Sequence, residues 1–118
     1  VILNIEGKDA VKNFDNILKV KYADIFFVGL FDLSKSLGIP GEVSNPLVME
    51  ALKEIINKAS KVGKYVGTIA TSEDKIAEFL DIGVKYIVYL VDCEILRSGY
   101  ASAVEKFNLE NLKWTEYT

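Results

Sequence analysis

Two acidic residues close apolar runs in this sequence: Glu6 ends "VILNI" and Asp32 follows "ADIFFVGLF". If the two runs are neighbouring parallel strands, their carboxylates converge on one crevice, where like charges need a cation or a proton to offset them. Oxygen-only ligation suits Mg²⁺ or Mn²⁺, which are typically held by one or two carboxylates plus water and substrate oxygens. A metal held that way polarises a carbonyl and stabilises an enolate. The spacing alone leaves a plainer alternative open, in which Glu6 and Asp32 cap or solvate the loops they begin.

Other polar residues near these positions carry similar double readings. Asn4 lies two residues before Glu6 and shares its strand face, so it is a credible hydrogen-bond donor to a ligand. Ser34 could bond a ligand oxygen or belong to turn chemistry. Asp92 also ends an apolar run, but it precedes a helical pattern and reads as that helix's N-cap. Cys93 reads as a packed or half-exposed residue rather than a nucleophile, because the sequence contains no histidine to activate it. The same absence removes the usual general base, so chemistry here must use carboxylates, hydroxyls, lysines or backbone groups. Gly29, Gly38 and Gly41 form neither a Walker loop nor a dinucleotide fingerprint and read as turn residues.

The elements that must position these residues alternate. Four near-continuous apolar runs, Val1 to Ile5, Asp24 to Leu30, Lys64 to Ala70 and Lys85 to Val91, read as parallel strands covered on both faces. Between them lie amphipathic stretches. The first runs from Lys8 to Val20, with Val11, Phe14 and Leu18 on one face. The second has Asn45 at the N-cap and Pro46 at the first helical position, then a stripe of Val48, Leu52, Ile55, Ala59 and Val62 before Gly63 ends it. The third begins near Thr71 or Ser72, where Thr71 and Asp74 have capping-box spacing, and stops at Gly83. The last spans Cys93 to Phe107, interrupted by Gly99, and the tail that follows has no clear period; Trp114 in it could pack on a partner or on this chain.

Returns from helix to strand are short, whereas the second strand is followed by about 15 residues, Phe31 to Asn45, before its helix. Long loops at the carboxyl ends of parallel strands mark the working face of such sheets. Glu6 and Asp32 both lie at that end.

Composition excludes several functions. The 118 residues are half hydrophobic, enough for one packed domain. With 14 Lys and Arg against 17 Asp and Glu, a net charge of -3 and no basic cluster, the sequence has no footprint for nucleic acid or an anionic membrane. One cysteine excludes an internal disulfide framework and points to the cytoplasm. No apolar run approaches the roughly 20 residues that span a bilayer.

"NIEGKDAVKNFDNIL", "ADIFFVGLFDLSKSLGIPGEVSNPLVMEAL", "GKYVGTIA" and "DIGVKYIVYLVD" together resemble the second half of the HpcH/HpaI aldolase/citrate lyase family, class II pyruvate-dependent aldolases, over residues 1 to about 98. The resemblance implies metal-dependent cleavage of a 4-hydroxy-2-oxo acid to pyruvate and an aldehyde. It implies a divalent metal (Mg²⁺ or Mn²⁺, with Co²⁺ a third candidate) on Glu6 and Asp32, with Asn4, Phe31, Asp32 and Ser34 around the 2-oxo acid and the Phe31 and Asp32 amides facing its carboxylate. This sequence departs from the family's usual Gly-Pro-Ala-Asp-Leu-Ser by carrying Leu30 and Phe31, and from its usual Gln by carrying Asn4. The family fold is a TIM barrel of about 250 residues, so the expected architecture of residues 1–118 is an α/β half-barrel. It would be one partial domain made of the barrel's C-terminal four βα units.

The first strand starts abruptly at Val1, and the family's catalytic arginine and histidine lie in the first half, so residues 1–118 are expected to be incomplete as an enzyme and to assemble as a homo-oligomer. Two other readings compete: a citramalyl- or malyl-CoA lyase-like enzyme, which a CoA-binding basic patch would favour, and a non-catalytic half-barrel binding module.

Overall fold

The computed structural model describes the backbone of residues 1–114 and the side chains of residues 1–107. Ten elements follow one another: β1 (Ile2–Ile5), α1 (Lys8–Lys12), α2 (Phe14–Ile17), β2 (Ile25–Val28), α3 (Leu30–Ser36), α4 (Pro46–Lys61), β3 (Tyr65–Ala70), α5 (Glu73–Asp81), β4 (Tyr86–Tyr89) and α6 (Asp92–Trp114). The four strands are parallel and lie in the order β1-β2-β3-β4. Ile5 pairs with Val28, Phe27 with Gly67, and Gly67 with Tyr86. Consecutive parallel strands in sequence order are what repeated right-handed βα crossovers produce.

Helices cover one face of the sheet. Phe26, Val28, Val66 and Ala70 point into that layer with Phe14, Leu33, Leu52, Ile55 and Phe79, all buried. The Phe14 and Phe26 rings meet edge to face with centroids 5.0 Å apart, a favoured aromatic geometry. Thr68, the buried polar residue of β3, donates its hydroxyl to the Val28 carbonyl at 2.8 Å, so its burial leaves no polar atom unpaired. Lys64 closes the amino end of the layer, its ammonium donating to the carbonyls of Leu18 (2.8 Å) and Val20 (2.6 Å).

The opposite face of the sheet is open. Ile2, Tyr65 and Tyr86 are exposed there, and Phe27 meets Tyr86 edge to face across Gly67 at a centroid separation of 6.2 Å. A Cβ on Gly67 would stand 2.7 Å from the Tyr86 ring and 2.9 Å from its carbonyl oxygen, which is why no side chain fits at that position.

Several boundaries differ from those expected of the sequence. The expected 8–20 helix is two short ones, broken at Asn13, whose ψ of 11° is too far from helical to carry the ladder through. The expected loop from Phe31 to Asn45 contains α3, because Leu30, Leu33 and Leu37 recur on one face and bury or half-bury against α4. Ser72, not Thr71, caps α5, accepting the Lys75 amide at 3.3 Å. Asp92 is the first residue of α6 rather than its cap: the Val91 carbonyl accepts the Ile95 amide, and the Asp92 carboxylate accepts from Cys93. Gly99 does not interrupt α6, and the tail without a clear period is helical to Trp114; the side-chain packing of Trp114 lies outside the described residues. Every residue from Ile95 to Phe107 is exposed, and α6 draws the molecule out to 72 × 29 × 22 Å.

Candidate metal and oxo-acid site

Glu6 follows β1 directly, and the Gly29 amide donates to the Ile5 carbonyl at 3.0 Å, which carries the β1–β2 pairing one step past the strand ends. That step sets Glu6 beside Gly29. A Cβ on Gly29 would lie 2.9 Å from Glu6 Cγ and 3.5 Å from its Oε1, so the glutamate side chain is laid across a position that only glycine leaves clear. Gly29 is also the N-cap residue of α3, and Asp32 stands in the first turn of that helix. Asp32 is therefore a helix-start residue, where the sequence pattern suggests a strand end; a carboxylate there is favoured by the unpaired amides of the first turn.

Both carboxylates are exposed. The ion pairs among the described residues involve Asp15, Asp24, Glu54, Glu78 and Glu94, leaving Glu6 and Asp32 outside them. No group of three or more His, Cys, Asp or Glu that could hold a metal occurs among the described residues. Glu6 and Asp32 each offer hard oxygens of the kind that the sparse ligation of Mg²⁺ or Mn²⁺ accepts, with water and ligand oxygens completing the shell, and among the described residues neither is taken up by a lysine or arginine.

The remaining candidates fall into two groups. Asn4 is exposed on the open face, in register with Phe27 and on the same face as Glu6. Phe31 is 58% exposed beside Asp32. Ser34 differs: it is fully buried, its hydroxyl donating to the Phe31 carbonyl at 2.6 Å and accepting the Gly41 amide at 3.0 Å. Its two hydrogen bonds fasten the turn after α3, so its contribution to any site passes through Phe31 and Gly41.

The sequence pattern does not reveal a cavity of about 270 Å³ at the same end of the sheet, walled by Phe31, Val43, Ile69, Lys75 and Phe79. The one signal for it is Phe31 itself, a large aromatic where turn chemistry needs none.

Alternating βα units in consecutive strand order, with the candidate residues at the carboxyl ends of the strands, define half of a TIM-type barrel. Comparison with known proteins agrees and narrows the class. The sequence profile described as HpcH/HpaI aldolase/citrate lyase matches residues 1–98. A 4-hydroxy-2-oxo-heptane-1,7-dioate aldolase of Klebsiella pneumoniae is 30% identical over 107 residues, 91% of this chain and 40% of that protein. A 5-keto-4-deoxy-D-glucarate aldolase of Shigella boydii is 32% identical over 91% of this chain and 42% of its own length. Among solved structures, an HpcH/HpaI aldolase from Desulfitobacterium hafniense superposes with a TM-score of 0.82 at 27% identity, covering 90% of this chain and 41% of that one. A family protein from Burkholderia cenocepacia gives a TM-score of 0.86 at 25% identity, over 92% and 42%. The chain belongs to the HpcH/HpaI aldolase/citrate lyase family. It spans about two fifths of the length of the curated relatives it matches.

Proposed function

We propose that residues 1–118 form one partial domain of a carbon–carbon lyase, the part that holds the metal and the oxo-acid end of a 4-hydroxy-2-oxo acid during its cleavage to pyruvate and an aldehyde. The observation that supports this reading is the Glu6 side chain lying across Gly29, at the cap of the helix whose first turn carries Asp32. Glu6 and Asp32 would hold Mg²⁺ or Mn²⁺. Bound there, the ion would supply Lewis-acid polarisation and would offset the negative charge that develops on the oxo-acid end as the bond breaks. The amides of Phe31 and Asp32, in the first turn of α3, would face the substrate carboxylate, and Asn4 would donate to an oxygen from the strand side.

In the reaction the bond between C3 and C4 breaks, the 4-hydroxyl gives up its proton, and C3 of the product gains one. The chain contains no histidine, the usual carrier of such protons, and we assign their transfer to a base outside it or to water. General acid/base catalysis is worth typically about 10²- to 10⁴-fold; this chain alone is therefore a poor catalyst. We place the activity in the cytoplasm, in keeping with the single cysteine; no helix among the described residues is long and apolar enough to cross a membrane. The open sheet face and the free edges of β1 and β4 favour self-association.

The test is Mn²⁺ binding to this chain by electron paramagnetic resonance, together with pyruvate release by the longer protein that contains it. Asp32→Asn and Glu6→Gln should each weaken Mn²⁺ binding and remove metal-dependent pyruvate release. Unchanged Mn²⁺ affinity in both variants, or full activity after exhaustive chelation, overturns the reading.

A further inference from the structure

We infer that the cavity beside Phe31 receives the aldehyde-derived end of the substrate, and that it selects an uncharged apolar or aromatic chain there. The inference rests on the aldolase reading, since it assigns the second half of the same substrate. The cavity opens at the carboxyl end of the sheet: Phe31 adjoins Asp32, and Ile69 lies near the end of β3. Its volume is about 270 Å³, near the small end of ligand pockets.

The walls are apolar and come from separate elements. Phe31 stands on α3, Val43 and Ser44 on the connection to α4, Ile69 on β3 and Phe79 on α5. Ser34 ties two of these parts together, through the Phe31 carbonyl and the Gly41 amide, and Gly41 packs so that a Cβ on it would lie 3.8 Å from the Phe31 ring. The turn that shapes the cavity is thus fixed before a ligand arrives.

Lysine 75 is the one cation in the lining, and its charge is already matched. Its ammonium lies 2.6 Å from the Glu78 carboxylate and 5.9 Å from the centre of the Phe79 ring. A carboxylate-bearing tail would lose its hydration against Val43, Ile69 and Phe31 and would have to compete with Glu78 for Lys75. A hydrocarbon or phenyl tail meets no such penalty and gains the burial of its own surface.

Unreactive alcohols corresponding to two reduced aldehydes separate these cases: 3-phenylpropan-1-ol for a neutral tail and 4-hydroxybutanoate for an acidic one. Methyl-resolved NMR of the 118-residue chain should show the Val43 and Ile69 methyl groups shifting with the neutral alcohol. The acid should bind at least about tenfold more weakly. Ser44→Glu, a change at an exposed position, should abolish the response without unfolding the chain, and Phe31→Ala should weaken it. Equal affinity for both alcohols, or no shift at Val43 and Ile69, overturns the inference. The Mn²⁺ and pyruvate measurements keep the two readings apart. If the chain binds the ion and the longer protein releases pyruvate while the neutral alcohol does not bind, the tail assignment alone fails; if the alcohol binds with neither ion binding nor pyruvate release, the aldolase reading fails and takes the assignment with it.

Discussion

The buried hydroxyl of Ser34 accepts the Gly41 amide at 3.0 Å, joining a helix interior to a turn seven residues further along the chain. Gly41 has a φ of +84°, a conformation that side-chain-bearing residues rarely adopt, so the amide is presented to Ser34 by a glycine turn. Ser34→Ala deletes this bond and the one to the Phe31 carbonyl. The expected loss is about 1–3 kcal/mol, toward the lower end because Gly41 is exposed and its amide can recover a water. Urea denaturation measures it, and an unchanged midpoint would show that the turn is held by other means.

Gly29→Ala separates site geometry from stability. The new methyl would meet Glu6 Cγ at 2.9 Å, the middle of a flexible exposed side chain, so the glutamate swings away at little cost to the fold. Gly29 is also the half-buried N-cap of α3, where alanine is disfavoured, so the unfolding free energy should fall by about 0.5–1 kcal/mol. Mn²⁺ affinity should fall as well. Calorimetric titration that finds the metal bound as tightly as before would mean that Glu6 need not lie where it does.

Gly67→Ala should cost the fold more. Here the added carbon meets the Tyr86 ring at 2.7 Å and the Tyr86 carbonyl at 2.9 Å, and a backbone oxygen inside a strand pair cannot swing aside. Overpacking of this kind costs about 1–3 kcal/mol. Thermal unfolding of the variant checks it, with Gly29→Ala as the control.

Acid should act on α6 through one pair. Arg97 donates two hydrogen bonds to Glu94, which holds the Glu94 carboxyl below its ordinary value of 4.5. A carboxylate with a depressed folded-state pKa contributes stability that is fully present above the unfolded value and is lost as pH falls through the folded one. Carbon-detected NMR should place the Glu94 midpoint below 4.5, and Arg97→Gln should return it toward that value. A midpoint unmoved by the substitution would assign the shift to something other than Arg97.

The sequence announces its elements where a local signal is strong. Asn45 and Pro46 start α4 as expected, the Asn45 side chain accepting the Leu47 amide at 3.0 Å, and Gly63 and Gly83 follow their helices with φ of +71° and +105°. The four strands lie within the apolar runs. Helix α3 escapes notice because its seven residues continue an apolar strand run without a polar cap: Gly29 supplies no side chain to mark the start. The break at Asn13 is equally silent, since the apolar spacing continues through it. At the candidate site, the end of the sheet is legible from the unequal connections, but the roles of individual residues are not. Ser34 reads equally as a ligand contact or as turn chemistry in sequence, and its hydroxyl is engaged with Phe31 and Gly41, while Lys75 and Phe79 reach the same cavity from an element some 40 residues away.

Helix α6 leaves the body at Asp92 with every side chain from Ile95 to Phe107 in solvent. Its amide protection therefore cannot borrow from the core. An unsupported helix is governed by its own helix–coil balance, and Gly99, about two turns in from its start, costs about 1 kcal/mol relative to alanine. In hydrogen–deuterium exchange the chain should divide into two kinetic populations, amides of β2 and β3 opening only with global unfolding and those of α6 exchanging by local fraying. Any surface that takes up the α6 stripe of Leu96, Tyr100 and Phe107 moves those amides from the fast population to the slow one, so exchange rates along this single helix register its burial residue by residue.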